Sequence, residues 1–436
     1  MKTLYVKDLC SRPLGSSVEL YGWLAGRRNL GGVLFLDLAD STGTAQVIIE
    51  NTNALTFDLG TDIPLESAIA VVGILVEGAK TTTEIQAHSI RLIGKATLQL
   101  NPFPRSRFDF LASKHVNQTL TYRHIYLRNP RLMAVLKFRA GVTRIMRDWF
   151  HRHDFIEFDA PIITPATLYD KETALPIRVH DQDLFLTQCA GFYLEAAVHA
   201  FERVYNIGPS FRGAESRSKR HLTEYWHVKA ELAFGDLEDI IRLVEGLISH
   251  VTRAATEQFS GTLELENISI SQAGHLPPFP RLSYSDASDI LSANGFPFKF
   301  GDPLSAEHES FLSKPYRTPF WVVGTPRSTE PFPYSIDRAD PRVTRVADLI
   351  ANDGYGELLG VAEKISDSSE LILRLEEKHK LDDIRYDFVK DVHNAGCVPH
   401  VAFGMGLERF IRWLIGLEHV RDALAFPRLV RRRITA

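Results

Sequence analysis

Cysteine is scarce in this chain: Cys10, Cys189 and Cys397 are the three among 436 residues. They lie far apart and match no thiolate metal spacing, so the expectation is reduced thiols in a cytoplasmic protein, not a disulfide framework. No apolar run is long enough to span a bilayer, and the opening MKTLYVKDLCSRPLG has no apolar signal core, so neither a membrane protein nor a secreted one is expected. A strong charge of either sign is also missing. A net charge of -4 excludes a general nucleic-acid coat and leaves room only for a local basic patch. The terminal LVRRRITA is one candidate for such a patch, or simply a solvated tail. Neither a G-x-x-x-x-G-K-S/T loop nor a G-x-G-x-x-G fingerprint occurs, so any nucleotide site has to be built another way.

What is present is an ordinary globular composition, 44% hydrophobic and 24% charged, at a length that suits two or three domains. Residues 185–234 carry the strongest local signal. A helix over Tyr193–Arg203 feeds a strand, VYNIGPSFR, then a polar loop, GAESRSKR, then a second strand, EYWHVKAELAF. Both strands are rich in β-branched and aromatic residues. Arg212, Arg217, Lys219 and Arg220 give the hairpin a cationic tip. Arginine supplies a planar fork of donors that suits phosphate oxygens, although loop arginines commonly just face water. A second stretch, GMGLERFIRWLIGLEHVRDALAFPR from residue 404, turns the balance. Gly404 and Gly406 admit a ligand close to backbone, and Glu408-Arg409 open an apolar helix containing Phe410, Ile411, Trp413, Leu414 and Leu417.

Together these stretches resemble motifs 2 and 3 of class II aminoacyl-tRNA synthetases, and within them the aspartyl/asparaginyl group on its asparaginyl side. Motif 2 is matched by Ser210-Phe211-Arg212 and Arg220-His221-Leu222. Motif 3, G-x-G-x-E-R-x-x-x-W, is matched from Gly404 to Trp413. The amphipathic helix Arg131–His153, the strand after it and Pro161 look like motif 1, which implies a homodimer interface. Residues 1–100 read as about five short strands, SVELYGWLAGRR, GVLFLDLAD, AQVIIE, AIAVVGILVEG and TEIQAHSIRLIG, separated by turn signals. They resemble the family's OB-fold anticodon domain. The fold expected is α+β: an OB-fold barrel over 1–100, a linker over 101–120 and a catalytic domain over 121–436 built on an antiparallel sheet flanked by helices.

The resemblance implies ATP and Mg²⁺ as cofactors and tRNA as a partner. Arg212 and Arg409 are then the catalytic residues, with Arg212 on the α-phosphate and Arg220, His221 and Arg409 around the other phosphates. Leu222, Gly404, Gly406 and Glu408 complete the ATP site, with adenine against a Phe-type ring near the hairpin. Glu357 holds the metal with Asp348, as hard oxygen ligands suit that ion. Arg28, Phe35 and Gln46 fall where the family stacks on and reads an anticodon base; without the resemblance Phe35 reads as core and Gln46 as a solvent-facing strand residue.

The sequence departs from the family pattern chiefly on the amino-acid side. The glutamate expected two residues after Arg212 is Ala214, with Glu215 one further on. Of the segment Thr187–Glu195, Gln188 and Glu195 are kept, but an expected glutamine is Gly191. An acidic residue that would face the substrate α-ammonium is Lys229, and an expected arginine is Lys364. Leu-Tyr-Asp-Lys-Glu-Thr at 168–173 replaces a glycine-rich flipping loop. A lysine about 4 Å from an ammonium costs on the order of 1–4 kcal/mol. Lys229 therefore either opposes an ordinary α-amino acid or turns away to pair with Glu231 or Glu195. Three functions stay open: an asparaginyl-type synthetase that charges tRNA, a paralogue that activates a different acid or serves another acceptor, and a catalytically silent tRNA-binding protein. The ATP-side residues, retained together, speak against the last.

Overall fold

Alternation of apolar and polar side chains sets the first architecture. In β1 (Ser17–Leu30), β2 (Val33–Ala39), β3 (Thr44–Ile49), β5 (Ala68–Val76) and β6 (Glu84–Gly94), the inward positions hold Val18, Leu20, Leu24, Leu36, Leu38, Val47, Ile49, Ile69, Val71, Leu75, Ile85 and Ile90. This period of two buries one face of each strand. With the short β4 (Thr56–Phe57) the strands run in the order β3-β2-β1-β5-β6-β4, and β3 also pairs with β6, which closes the sheet into a barrel. The computed structural model describes the whole chain apart from residues 1, 50–55, 58–62, 79–82, 111–112, 170, 215–217, 273–275 and 433–436.

The chain divides into two compact units, Met1–Pro130 and Arg131–Ala436. Residues 101–130, of which 101–120 read as a plain linker, therefore group with the barrel. The physical reason is Glu66, whose buried carboxylate accepts from Arg105 Nε at 3.2 Å and Arg128 Nη1 at 2.9 Å. α1 (Ser113–Thr121) and α2 (Arg123–Tyr126) follow, with the Tyr126 hydroxyl donating to the Pro102 carbonyl at 2.9 Å.

In the second unit, α3 (Pro130–Arg152) leads into the two-residue strands β7 (Ile156–Glu157) and β8 (Ile163–Thr164), then β9 (Leu175–Val179) and β10 (Gln182–Leu186). α4 (Gly191–Phe201) precedes the hairpin β11 (Arg203–Phe211) and β12 (Glu224–Ala233). The helix stops two residues short of the expected Arg203 because Glu202 takes φ +62° and turns the chain into the strand. α5 (Leu237–Glu264) opens on a capping box between Asp236 and Asp239, which satisfies free backbone N–H groups at its start. β13 (Arg281–Ser283), α6 (Tyr284–Ala293), α7 (Ala306–Ser313), β14 (Phe320–Val323), β15 (Val346–Ala351) and β16 (Gly356–Lys364) come next. α8 (Ser368–Glu377), α9 (Asp387–Asn394), β17 (His400–Gly406) and α10 (Leu407–Leu414) complete the unit.

Eight strands form one sheet in the order β13-β14-β15-β16-β17-β12-β11-β7, antiparallel except at the β13–β14 and β11–β7 pairs. Its two faces differ by the same period of two. Along β12, Trp226, Val228, Ala230 and Leu232 share a face with Val401, Phe403 and Met405 of β17. Phe150 of α3 stacks on Tyr205 and Phe403 of that face, with ring centroids 4.3 and 6.2 Å apart. The opposite face carries His227, Lys229 and Glu231, beside Gly404 and Gly406, and the row Lys229–Gly404–Gly360–Asp348 crosses four adjacent strands in register. One face is thus packed on helices and the other is polar and glycine-lined. Among the described residues, no helix is long and apolar enough to cross a membrane.

Candidate active site

A cavity of about 330 Å³ opens on the polar face. Its wall brings together Arg212, Arg220, His221, Leu222, Asp348, Glu357, Gly404, Gly406, Glu408 and Arg409, all expected from sequence. Phe211 also lines it, next to Arg212. Glu215 lies outside the described residues.

The cations are held in two different ways. Arg220 is clamped by both oxygens of Glu309, which also accepts the Glu357 backbone N–H at 2.8 Å. Arg409 Nη1 is 3.0 Å from Glu357 Oε2, and Nη2 donates to His221 Nε2 at 3.2 Å. Burial, then Arg409, Arg212 and Arg220, push the His221 pKa down to about 4, so the ring is neutral at pH 7 and acts as a hydrogen-bonding group. Arg212 is exposed at the mouth, and among the described residues no carboxylate pairs with it. The carboxylates crowd one another: burial, then Glu357, Glu330 and Glu309, hold the Asp348 carboxyl well above its usual range. Burial opposes ionisation of Glu357 too, yet Arg409 and Arg220 outweigh it and lower its pKa. Two oxygen-donor side chains on adjacent strands, mutually repelling, fit a divalent hard cation.

Glu408 serves the frame. Its carboxylate is buried, lies 2.7 Å from Arg139 Nη2 of α3 and accepts the Trp226 backbone N–H at 3.0 Å. Arg139→Met is expected to destabilise the fold by about 3–5 kcal/mol, because it strands a buried charge. The Arg139→Met/Glu408→Met pair is expected to lose less, as measured by denaturant unfolding.

On the acid side, Gln188 and Lys229 line the cavity while Gly191, Glu195 and Lys364 do not. Gln188 Oε1 accepts the Tyr169 backbone N–H at 3.1 Å and Nε2 donates to Thr173 Oγ1 at 3.0 Å, so Tyr169 and Thr173 are tied to it. Lys364 Nζ lies 2.9 Å from Glu195 Oε2 and 3.9 Å from Glu231 Oε1. That pairing takes up the two carboxylates considered for Lys229. Lys229 is buried instead, with Cys189 Sγ at 3.5 Å as its hydrogen-bond partner among the described residues. A Cβ on Gly191 would stand 3.1 Å from Lys229 Nζ, and one on Gly404 2.9 Å from His227 Nε2. A side chain at position 191 would crowd the Lys229 amine, so the glycine leaves it room.

A family model for tRNA synthetases class II (D, K and N) matches residues 115–430, and one for an OB-fold nucleic acid binding domain matches 18–93. The chain belongs to the class II tRNA synthetases of this D, K and N group. It is 37% identical to an asparagine–tRNA ligase of Pelotomaculum thermopropionicum, covering 99% of each chain, and 33% identical to one of Thermococcus kodakarensis, covering 98% of this chain and 97% of the relative. Crystallised asparaginyl-tRNA synthetase from Pyrococcus horikoshii, complexed with asparaginyl-adenylate, superposes with a TM-score of 0.93 at 31% identity over the full length of both chains.

In this synthetase the OB-fold barrel carries Arg28, Phe35 and Gln46 on one outer face. Arg28 is the cross-strand partner of Phe35, and Asp37 of Gln46. Arg28 Nη2 donates to Gln46 Oε1 at 2.8 Å, and Gln46 Nε2 to Glu84 Oε1 at 2.8 Å. Phe35 is half-buried while Leu36 and Leu38 turn inward, so its ring is not part of the barrel core. Sequence reasoning missed Glu309, Tyr225, His227, Glu330 and Tyr334 around the cavity. Tyr225 and His227 follow from the period of two that puts them on the same face of β12 as Lys229. Glu309, in an ordinary-looking helical turn, gives no such signal.

Proposed function

We propose that this synthetase activates an amino acid of the asparagine class with ATP and Mg²⁺ and transfers the acyl group to the 3′ end of tRNA. The observation that carries the reading is the convergence of Arg212, Arg220, Arg409, Asp348 and Glu357 on one cavity, in a chain whose relatives are asparagine–tRNA ligases along their whole length. The acid's carboxylate is already ionised, so its oxygen attacks the α-phosphorus without a base and pyrophosphate leaves. The protein's task is alignment and neutralisation of phosphoryl charge. Arg212 meets the α-phosphate; Arg220 and Arg409, held by their carboxylates, meet the others. Mg²⁺ on Glu357 and Asp348 supplies further neutralisation when bound. Arg28, Phe35 and Gln46 form the surface for an unstacked anticodon base.

Homodimerisation is part of the proposal. Ile156, Ile162 and Ile163, which follow the motif 1 helix in sequence, are 46, 42 and 46% exposed, apolar side chains that a second copy would cover. The cytoplasm is the compartment such a synthetase serves.

A second reading rests on Lys229. A buried amine without a carboxylate partner, accommodated by Gly191, favours an acid that lacks an α-ammonium at that point or places an anionic group there. Lys229→Glu is expected to improve use of ordinary α-amino acids about tenfold or more; an unaltered substrate profile in pyrophosphate exchange would count against any contact between Lys229 and the substrate. The test of the full reaction is acylation of total tRNA by the purified chain with labelled asparagine or aspartate. The expected product is a base-labile acyl-tRNA absent with periodate-oxidised tRNA. An adenylate that forms but never passes to tRNA would contradict the proposed acceptor.

A further inference from the structure

Outside the cavity lining and next to Glu195, three potential metal ligands meet from two distant parts of the sequence. His199 lies in the last turn of α4, while Cys397 and His400 flank the entry to β17. One ligand atom from each falls within 4.8 Å of the others. His199 Nε2 is 3.2 Å from Cys397 Sγ, and the two imidazole rings are 5.4 Å apart between centroids.

The second nitrogen of each ring is already committed. His199 Nδ1 donates to the Glu195 carbonyl at 2.6 Å and His400 Nδ1 to the Val398 carbonyl at 2.9 Å. This fixes both rings in the tautomer whose Nε2 lone pair points to the cluster, the arrangement that orients metal-bound histidines. His400 is wholly buried, and among the described residues its Nε2 has no hydrogen-bond partner. The same holds for both carboxylate oxygens of Glu231, also wholly buried, one of them 3.9 Å from His400 Nε2. Lys364 Nζ, 3.9 Å from Glu231 Oε1, offsets the charge without a hydrogen bond, and a buried lone pair beside a buried carboxylate that lacks hydrogen bonds is costly. His393 Nε2, 4.0 Å from the Cys397 sulfur, is engaged by Glu195 Oε1 at 3.2 Å and belongs to the outer layer.

We infer that His199 Nε2, Cys397 Sγ and His400 Nε2 form a site for a borderline divalent cation of the zinc type, separate from the catalytic magnesium position. Thiolate and imidazole donors select zinc over magnesium or calcium. With metal–ligand bonds of about 2.0–2.3 Å, tetrahedral ligand atoms stand roughly 3.3–3.8 Å apart, so from separations of up to 4.8 Å binding draws the three together by about 1.5 Å at most. On binding, the Cys397 thiol gives its proton to solvent and the sulfur takes the metal. The metal also replaces the thiol and the Val398 N–H, now 3.2 Å away, at the His199 lone pair. The three-cysteine reading of the sequence finds no such site because two ligands are histidines and one comes from about 200 residues upstream.

The test uses the full chain, stripped with chelator and titrated with Zn²⁺ alone, then with Co²⁺. The expected result is about one equivalent of tightly held zinc, unaffected by excess Mg²⁺, and a thiolate-to-cobalt charge-transfer band. Cys397→Ser and His199→Gln are expected to weaken binding by more than about 100-fold and to abolish the band, whereas Cys189→Ser leaves both intact. Unfolding curves of the variants without metal report whether the fold survives. Absence of the band in the wild type, or zinc binding by Cys397→Ser equal to wild type, would overturn the site.

Discussion

Arg212→Ala is expected to lower the rate of adenylate formation by about 10²–10³-fold while leaving the melting temperature close to wild type. The split follows from how Arg212 is held. Its backbone N–H donates to the Thr223 carbonyl at 2.9 Å, which closes the β11–β12 ladder whatever the side chain. Its guanidinium balances no carboxylate among the described residues, so removing it leaves no buried charge behind. Arg409→Ala offers a poorer test because it takes a partner from Glu357 and mixes structural with chemical effects. ATP–pyrophosphate exchange beside thermal unfolding separates the two; wild-type exchange in Arg212→Ala would remove this residue from the reaction.

Glu357→Gln is expected to cost a similar factor, about 10²–10³, and to shift the Mg²⁺ dependence of exchange to higher concentration. The substitution keeps side-chain volume and the Glu357 backbone contact to Glu309, but removes one of the two carboxyl groups proposed to hold the metal. It also takes from Arg409 its carboxylate contact at 3.0 Å and leaves its hydrogen bonds to the Arg220 and Glu357 carbonyls and to His221. A Mg²⁺ titration of exchange activity decides the matter. If the midpoint stays at the wild-type concentration, Glu357 acts on Arg409 alone and the metal is held elsewhere.

The convergence of the expected ATP-side residues on one cavity was readable because they are carried by contiguous motifs whose chemistry depends on residue type. Arg212 and Arg220–Leu222 close a hairpin, Gly404–Arg409 run from strand to helix, and each keeps its neighbours in sequence as in space. The barrel was readable because its alternating strands are local. The acid side was less so, since its outcome depends on which cation meets which carboxylate across strands. Lys229 and Lys364 look equivalent as isolated substitutions, yet only Lys364 reaches Glu195 and Glu231, and Lys229 is left facing the cavity. Glu309 was invisible for the same reason: its value to Arg220 arises from two segments about 90 residues apart. The boundary at Pro130 instead of 120 reflects a single buried acid, Glu66, that gathers Arg105 from the expected linker and Arg128 from beyond it.

The most direct test of the central claim is ATP–pyrophosphate exchange by the purified chain, run with asparagine, aspartate, the other amino acids and analogues lacking or relocating the α-amino group. The account predicts Mg²⁺-dependent exchange with asparagine or an acid of its class, abolished in Arg212→Ala. No exchange with any acid of the panel, by a folded protein that binds ATP, would contradict it.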